Sequence, residues 1–183
     1  MVTKLIYRKL TELKRKYDNV LLYVDEAHAF GVRGRQGLGC AEEFHCIHDI
    51  DFLVGTFGKA AASVGAYIVC KKVIREYLVN RMRTLIFTTG LPPVNIAWTL
   101  FIVRRLADMQ ERRKHLAHIS RTLREALQVR GYTCPSVSHI VPMIIGPSAD
   151  TVLQAEALQR HGFTPCQSVR PTVPEGMSRI RFR

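Results

Sequence analysis

An apolar run closes on Asp25 in LLYVDEAHAFG, residues 21–31, and His28 follows three positions later. A single lysine, Lys59, stands among small residues in TFGKAAAS, residues 56–63. A carboxylate at a strand end can hold a metal ion, or it can keep a proton on an aromatic nitrogen. An amine among small side chains can hold an aldehyde as an imine and carry protons. In the metal-holding chemistry, that of a DEAH-type nucleic-acid helicase, the Asp of Asp-Glu-Ala-His binds magnesium and the Glu positions the attacking water. That chemistry also needs a phosphate-cradling G-x-x-x-x-G-K-[ST] loop upstream, and none of the 24 residues before Asp25 forms it. Ala29-Phe30-Gly31 is a poor continuation of a helicase motif as well.

The other chemistry is that of pyridoxal phosphate. It needs a carboxylate against the pyridine nitrogen, because a protonated ring is an electron sink for a carbanion, and a lysine to hold the aldehyde. The elements around the two residues decide whether they can meet. Val20–Val24 reads as a fully buried parallel strand, and 51–56 reads as the next strand. Asp25 and Lys59 then leave the sheet at the same carboxyl edge, where open parallel sheets bind ligands. A loop carrying Gly31, Gly34, Gly37 and Gly39 separates these strands, and GAYIVC, residues 65–70, reads as a third strand.

The flanking segments complete an alternating pattern of strands and helices. Residues 3–17 place Ile6, Leu10, Leu13 and Tyr17 on one helical face. Residues 71–83 read as a helix with Val73, Ile74, Tyr77 and Leu78 inward, followed by LIFTT as a short strand and then Pro92-Pro93. Residues 94–129 are helical in pattern, through Leu116, Ile119, Leu123 and Leu127. After Gly131, HIVPMII reads as a strand, 149–161 as a helix, and SRIRFR as an alternating strand with Ile180 and Phe182 on one face. The expected fold class is α/β, with a larger layer over residues 1–95, a helical connection over 96–130 and a smaller α+β domain over 131–183.

Composition narrows the setting. The chain has 183 residues, 47% of them hydrophobic, which suffices for one ordinary core or two small ones. Its 27 Lys and Arg exceed its 15 Asp and Glu by 12, and the excess is spread over both halves. A basic surface attracts polyanions without selecting one. Arginines 104, 105, 112, 113, 121 and 124 lack the aromatic platform that single-stranded nucleic acid needs, and read as a solvated helix face. Five cysteines without a C-x-x-C fit a reduced, cytoplasmic protein. Cys40, His45, Cys46 and His48 match no standard zinc spacing, so no metal is expected.

Four ordered motifs make a more specific statement. DEAHAFGVRGRQGLG, TFGKAAASVGAYI, IFTTGLPP and SVRPTVPEGMSRIRFR together resemble the α-oxoamine synthase family. The resemblance implies a fold-type-I, aspartate aminotransferase-like architecture and a homodimer. It also implies pyridoxal 5'-phosphate and the decarboxylative joining of an amino acid to an acyl-CoA or acyl-carrier-protein thioester, with L-alanine and a pimeloyl thioester as the expected pair and the glycine C-acetyltransferase and serine palmitoyltransferase types of the same family as the alternatives. By the same resemblance, Asp25 partners the pyridinium nitrogen and His28 the phenolic oxygen, Thr56 lies near the phosphate, and Lys59 holds the aldehyde. Arg170 holds the amino-acid carboxylate beside Thr172, and Thr88 and Thr89 reach the cofactor phosphate of the neighbouring subunit.

The chain departs from the family at Ala61 and Ala62, where Phe-Gly is common, at the lone Pro171, where two prolines are common, and at Gly90, where Ser or Ala is common. Family members are about twice as long. The resemblance therefore implies a piece of such an enzyme, without the amino-terminal glycine-rich phosphate loop and ring-stacking histidine and without the last helix. A half sheet of this kind is expected to expose edges and apolar surface, and the isolated chain to be inactive or poorly active.

Overall fold

In a computed structural model, residues 2–182 are described; Arg183, the last residue of the expected SRIRFR strand, lies outside them. Two compact units, residues 1–113 and 114–183, make up the chain. The first contains α1 (Val2–Lys16), β1 (Tyr23–Asp25), α2 (Cys40–Glu43), β2 (Phe52–Thr56), β3 (Ala66–Cys70), α3 (Lys72–Arg81), α4 (Arg83–Ile86) and α5 (Pro93–Arg105). α6 (Gln110–Val129) crosses the boundary, and β4 (Val141–Gly146), α7 (Ser148–Arg160), β5 (Cys166–Ser168) and β6 (Ser178–Phe182) complete the second unit.

The first unit is built on a three-stranded sheet in the order β1-β2-β3. β1 and β2 are parallel, with Asp25 opposite Val54, and β3 returns antiparallel, with Ala66 opposite Thr56. Because side chains alternate across a strand, Asp25, Val54 and Thr56 share one face. Leu53 and Gly55 point to the other, where an added Cβ on Gly55 would sit 2.4 Å from the Tyr67 hydroxyl. The parallel pairing expected for β1 is present, whereas its full burial is not: Leu21 and Tyr23 are each 65% exposed. Among the described residues β1 pairs only with β2, so one of its flanks lacks a neighbouring strand.

α1 packs through Tyr7, Thr11 and Lys14 rather than through its apolar stripe. Ile6, Leu10, Leu13 and Tyr17 are exposed, while Thr11 is buried. Lys14 Nζ reaches the buried Asp51 Oδ2 at 2.6 Å and the Asp49 carbonyl at 2.7 Å. The same Asp51 oxygen accepts from the Leu22 N–H at 2.8 Å, which fixes the entry into β1.

Two further expectations are corrected. Val73 and Tyr77 of α3 are exposed rather than inward, and only Ile74 and Leu78 are half-buried. LIFTT is not a strand: Ile86 N–H and Phe87 N–H bond back to the carbonyls of Met82 and Arg83, closing the helical turn α4, and Phe87 is 78% exposed. A short apolar run reads equally well as either element, and local backbone bonding decides it where no strand edge is engaged.

The second unit follows its expected pattern. β6 lies between β4 and β5, both antiparallel to it. Ile180 is fully buried, and Met143, Ala155 and Ile180 form a core over which Leu127, Leu158 and Phe182 pack. β5, three residues long, carried no alternation by which to find it.

Asp51 provides a stability test. Burial opposes its charge, but the Lys14 ammonium and the Leu22 N–H outweigh that and hold its carboxyl below the usual range. A carboxyl lowered by folding stabilises the protein above its unfolded value, near 3.8, and loses that contribution as pH falls through the lower folded value. Asp51→Ala is expected to cost about 3 kcal/mol at neutral pH and to flatten the acid limb of the stability profile, as read by urea titration across pH.

Candidate active site

The carboxyl edge of β1 and β2 brings the two chemical motifs side by side. β1 ends at Asp25, and β2 continues from Val54, opposite Asp25, to Thr56. Lys59 follows three residues later, and its Nζ lies 3.4 Å from Thr56 Oγ1. Asp25 and Lys59 are both exposed at this edge. Asp25 Oδ1 accepts from the Ala27 N–H at 2.7 Å, which orients the carboxylate where the chain turns away from the sheet. His28, also exposed, lies within that turn.

The Lys59 loop is held from three sides. Phe57 N–H donates to the Gly65 carbonyl, Ser63 N–H to the Phe57 carbonyl and Ala62 N–H to the Lys59 carbonyl, at 2.9–3.0 Å. From α5, Trp98 Nε1 donates to the Ala61 carbonyl at 3.0 Å and Thr99 Oγ1 to Ser63 Oγ at 2.8 Å. From the Asp25 side, Gly31 presses on Ala60: a Cβ on Gly31 would stand 2.7 Å from the Ala60 Cβ. Below, Phe30, Phe57 and Tyr67 form a cluster of rings with centroids 5.2–6.0 Å apart, packed with buried Ala61 and Leu106. Burial, with the nearby charges of Glu26 and Asp25, raises the Tyr67 phenol to about 12, so it stays protonated.

This arrangement explains both sequence signatures. Phe30 of Ala-Phe-Gly enters the ring cluster, and Gly31 (φ +78°) lets the Asp25 and Lys59 loops touch. The small residues after Lys59 leave room for α5 to grip their backbone. Above the loop the approach is open, since a Cβ on Gly58 would meet no heavy atom nearer than the Ser63 carbonyl oxygen at 3.7 Å. An exposed carboxylate and an exposed amine on one open edge, with a hydroxyl beside the amine, fit the donor set that pyridoxal phosphate requires.

The remaining expected residues lie elsewhere. Thr88 and Thr89 are exposed in the segment between α4 and α5. Arg170 and Thr172 belong to the second unit, between β5 and β6. Arg170 Nη1 is paired with Glu175 Oε2 at 2.9 Å, and both side chains are exposed. The Thr172 hydroxyl donates to the Val169 carbonyl.

Several positioning residues carried no signal in the sequence. Glu26, Tyr7, Trp98 and Thr99 act through partners 14 to 37 positions away. Arg113, expected on a solvated face, is buried: its guanidinium donates to the carbonyls of Leu106 at 2.6 Å and Arg35 at 2.5 Å. It ties the glycine-rich loop to the end of α5, which helical periodicity cannot reveal.

Residues 2–182 match the pattern of the family described as aminotransferase class I and II. The chain belongs to the aminotransferase class I and II family. It is 54% identical over 177 residues to a putative 8-amino-7-oxononanoate synthase of Glaesserella parasuis serovar 5, covering 96% of this chain and 46% of that protein. Among solved structures it resembles serine palmitoyltransferase of Sphingomonas wittichii, with a TM-score of 0.87 and 32% identity, covering 93% of this chain and 43% of the other. It also resembles 8-amino-7-oxononanoate synthase of Francisella tularensis, with a TM-score of 0.79 and 27% identity, covering 88% and 48%. The chain thus spans about half the length of the curated relatives it matches. The expected fold-type-I, α/β architecture is the architecture found.

The contact between the two loops is directly testable. Gly31→Ala forces a side chain into left-handed backbone and against Ala60, and is expected to cost about 1–3 kcal/mol. Denaturant titration measures the loss, and faster amide exchange at Ala62 and Ser63 shows that the Lys59 loop has loosened.

Proposed function

We propose that this chain carries the cofactor-holding edge of a pyridoxal-phosphate-dependent α-oxoamine synthase. In this reading the enzyme joins L-alanine to a pimeloyl thioester with loss of carbon dioxide, giving 8-amino-7-oxononanoate for biotin synthesis. The observation that carries the reading is the parallel β1–β2 pair, which sets Asp25 and the Thr56–Lys59 pair on one open edge. The 54% identity to a putative 8-amino-7-oxononanoate synthase supports the substrate assignment.

When bound, pyridoxal phosphate supplies an electron sink for a carbanion at the amino acid's α-carbon. Asp25 keeps a proton on the ring nitrogen, and the Ala27 N–H holds its carboxylate in place. His28 donates to the phenolic oxygen. Lys59 would hold the aldehyde through Nζ and serve as the base for the α-proton, with the Thr56 hydroxyl beside it toward the phosphate. Arg170 grips the substrate carboxylate with its planar fork, a carboxylate that takes the place of Glu175, while Thr172 flanks it. Thr88 and Thr89 reach the phosphate in the partner of a homodimer. Residues 1–95 serve as part of the large domain and 131–183 as the small one.

The setting is consistent with this reading. All five cysteines are free, which suits a reducing cytoplasm, and burial raises the Cys40 thiol to about 11, leaving it unreactive. Among the described residues no helix is long and apolar enough to cross a membrane. A second reading, condensation of serine with a palmitoyl thioester, is favoured by the likeness to serine palmitoyltransferase.

Incubation with pyridoxal phosphate, borohydride reduction and peptide mapping should label Lys59, and Lys59→Ala should abolish the label. Labelling at another lysine refutes the site. The isolated chain is expected to release little or no CoA from L-alanine and pimeloyl-CoA. Turnover with serine and palmitoyl-CoA instead would select the second reading.

A further inference from the structure

We propose that Glu26 is the positioning residue of the cofactor edge: its buried carboxylate holds the Asp25–His28 turn against β2. This rests on the reading of Asp25 as the cofactor's partner and adds a residue to it. Glu26 is 1% exposed, and all the polar groups of this residue are engaged. Its N–H donates to the Val54 carbonyl at 2.7 Å, carrying the parallel ladder one residue beyond Asp25. Its carbonyl accepts from the N–H groups of Ala29 and Phe30, both at 2.8 Å, which closes the turn containing His28.

The side chain reaches away from the sheet to three donors. Oε1 accepts from the Tyr7 hydroxyl at 2.8 Å and the Ala41 N–H at 2.7 Å, and Oε2 accepts from the Cys40 N–H at 2.8 Å. The carboxylate thus joins α1, the end of β1 and the start of α2. Gly39 (φ +112°) makes the approach possible, since a Cβ there would lie 2.5 Å from Glu26 Oε2. Burial and the bond to Glu26 raise the Tyr7 phenol, which therefore remains a donor.

Glu26→Gln distinguishes positioning from mere stabilisation. An amide oxygen can accept from one of the backbone N–H groups at residues 40 and 41, but the amide nitrogen then meets another donor. The turn should release, and Asp25 with it. Three measurements on the full chain decide the matter: amide exchange at Ala27, Ala29 and Phe30 without cofactor, affinity for pyridoxal phosphate, and the absorption spectrum of the bound cofactor, which reports the charge on its ring.

The proposal expects at least roughly tenfold faster exchange at those amides, affinity lowered about tenfold, and a changed spectrum at saturating pyridoxal phosphate. Gly39→Ala, which displaces the carboxylate without deleting it, should reproduce the spectral change and carries the test if Glu26→Gln does not fold. An unchanged spectrum in a folded variant, with the wild-type chain labelled at Lys59, overturns the proposal and leaves the cofactor reading intact. A wild-type chain that takes no label at Lys59 overturns the cofactor reading. In that case the exchange measurement judges the turn alone, and unchanged protection refutes the role of Glu26.

Discussion

Everything about the candidate site depends on β1 and β2 running parallel, because two parallel strands end on the same side of a sheet and two antiparallel ones do not. With Asp25 opposite Val54, the carboxylate and the lysine loop leave the sheet together, two residues out of step, on one open edge. An antiparallel β1 would carry Asp25 to the opposite edge. The ladder runs only one residue past each strand end, through Glu26 and Phe57, and the backbone polar groups beyond must find partners elsewhere. After β1 the N–H groups of Ala29 and Phe30 donate to the Glu26 carbonyl, and after β2 the Ala61 carbonyl accepts from Trp98 Nε1.

Those partners explain why a short sheet can hold a defined site. The ring cluster beneath the Lys59 loop is small, yet it engages both loops at once, since Phe30 comes from one motif and Phe57 from the other. Packing and hydrogen bonding thus act on the same two segments. Outside this centre the first unit is sparsely covered. Leu21, Tyr23, Val94, Ile96, Trp98, Leu100 and Phe101 all present apolar surface. That surface, together with the partial coverage of the relatives, agrees with a chain that represents about half of the family's length.

The glutamate of Asp-Glu-Ala-His shows how one string can serve different chemistries. In a helicase that position orients a water molecule. Here the glutamate is buried and holds backbone N–H groups of α2 and the Tyr7 hydroxyl. The aspartate before it and the histidine after it stay on the exposed side.

The sequence by itself determined the α/β class, the two strands flanking the site, the candidate pair Asp25 and Lys59, and the alternation that buries Ile180 in β6, because each is a local pattern of residue types. It determined less where one pattern suits two elements: LIFTT became a helical turn, and the apolar stripe of α1 stayed exposed while Tyr7, Thr11 and Lys14 made the contacts. Only the tertiary structure decided that Glu26 faces inward, that Arg113 is buried against carbonyls, and that Trp98 grips the Lys59 loop. A glutamate, an arginine and a tryptophan look alike in sequence whether they meet water or a backbone group from a distant segment, and the hydrogen bonds that separate these cases exist only once the chain has brought that segment near.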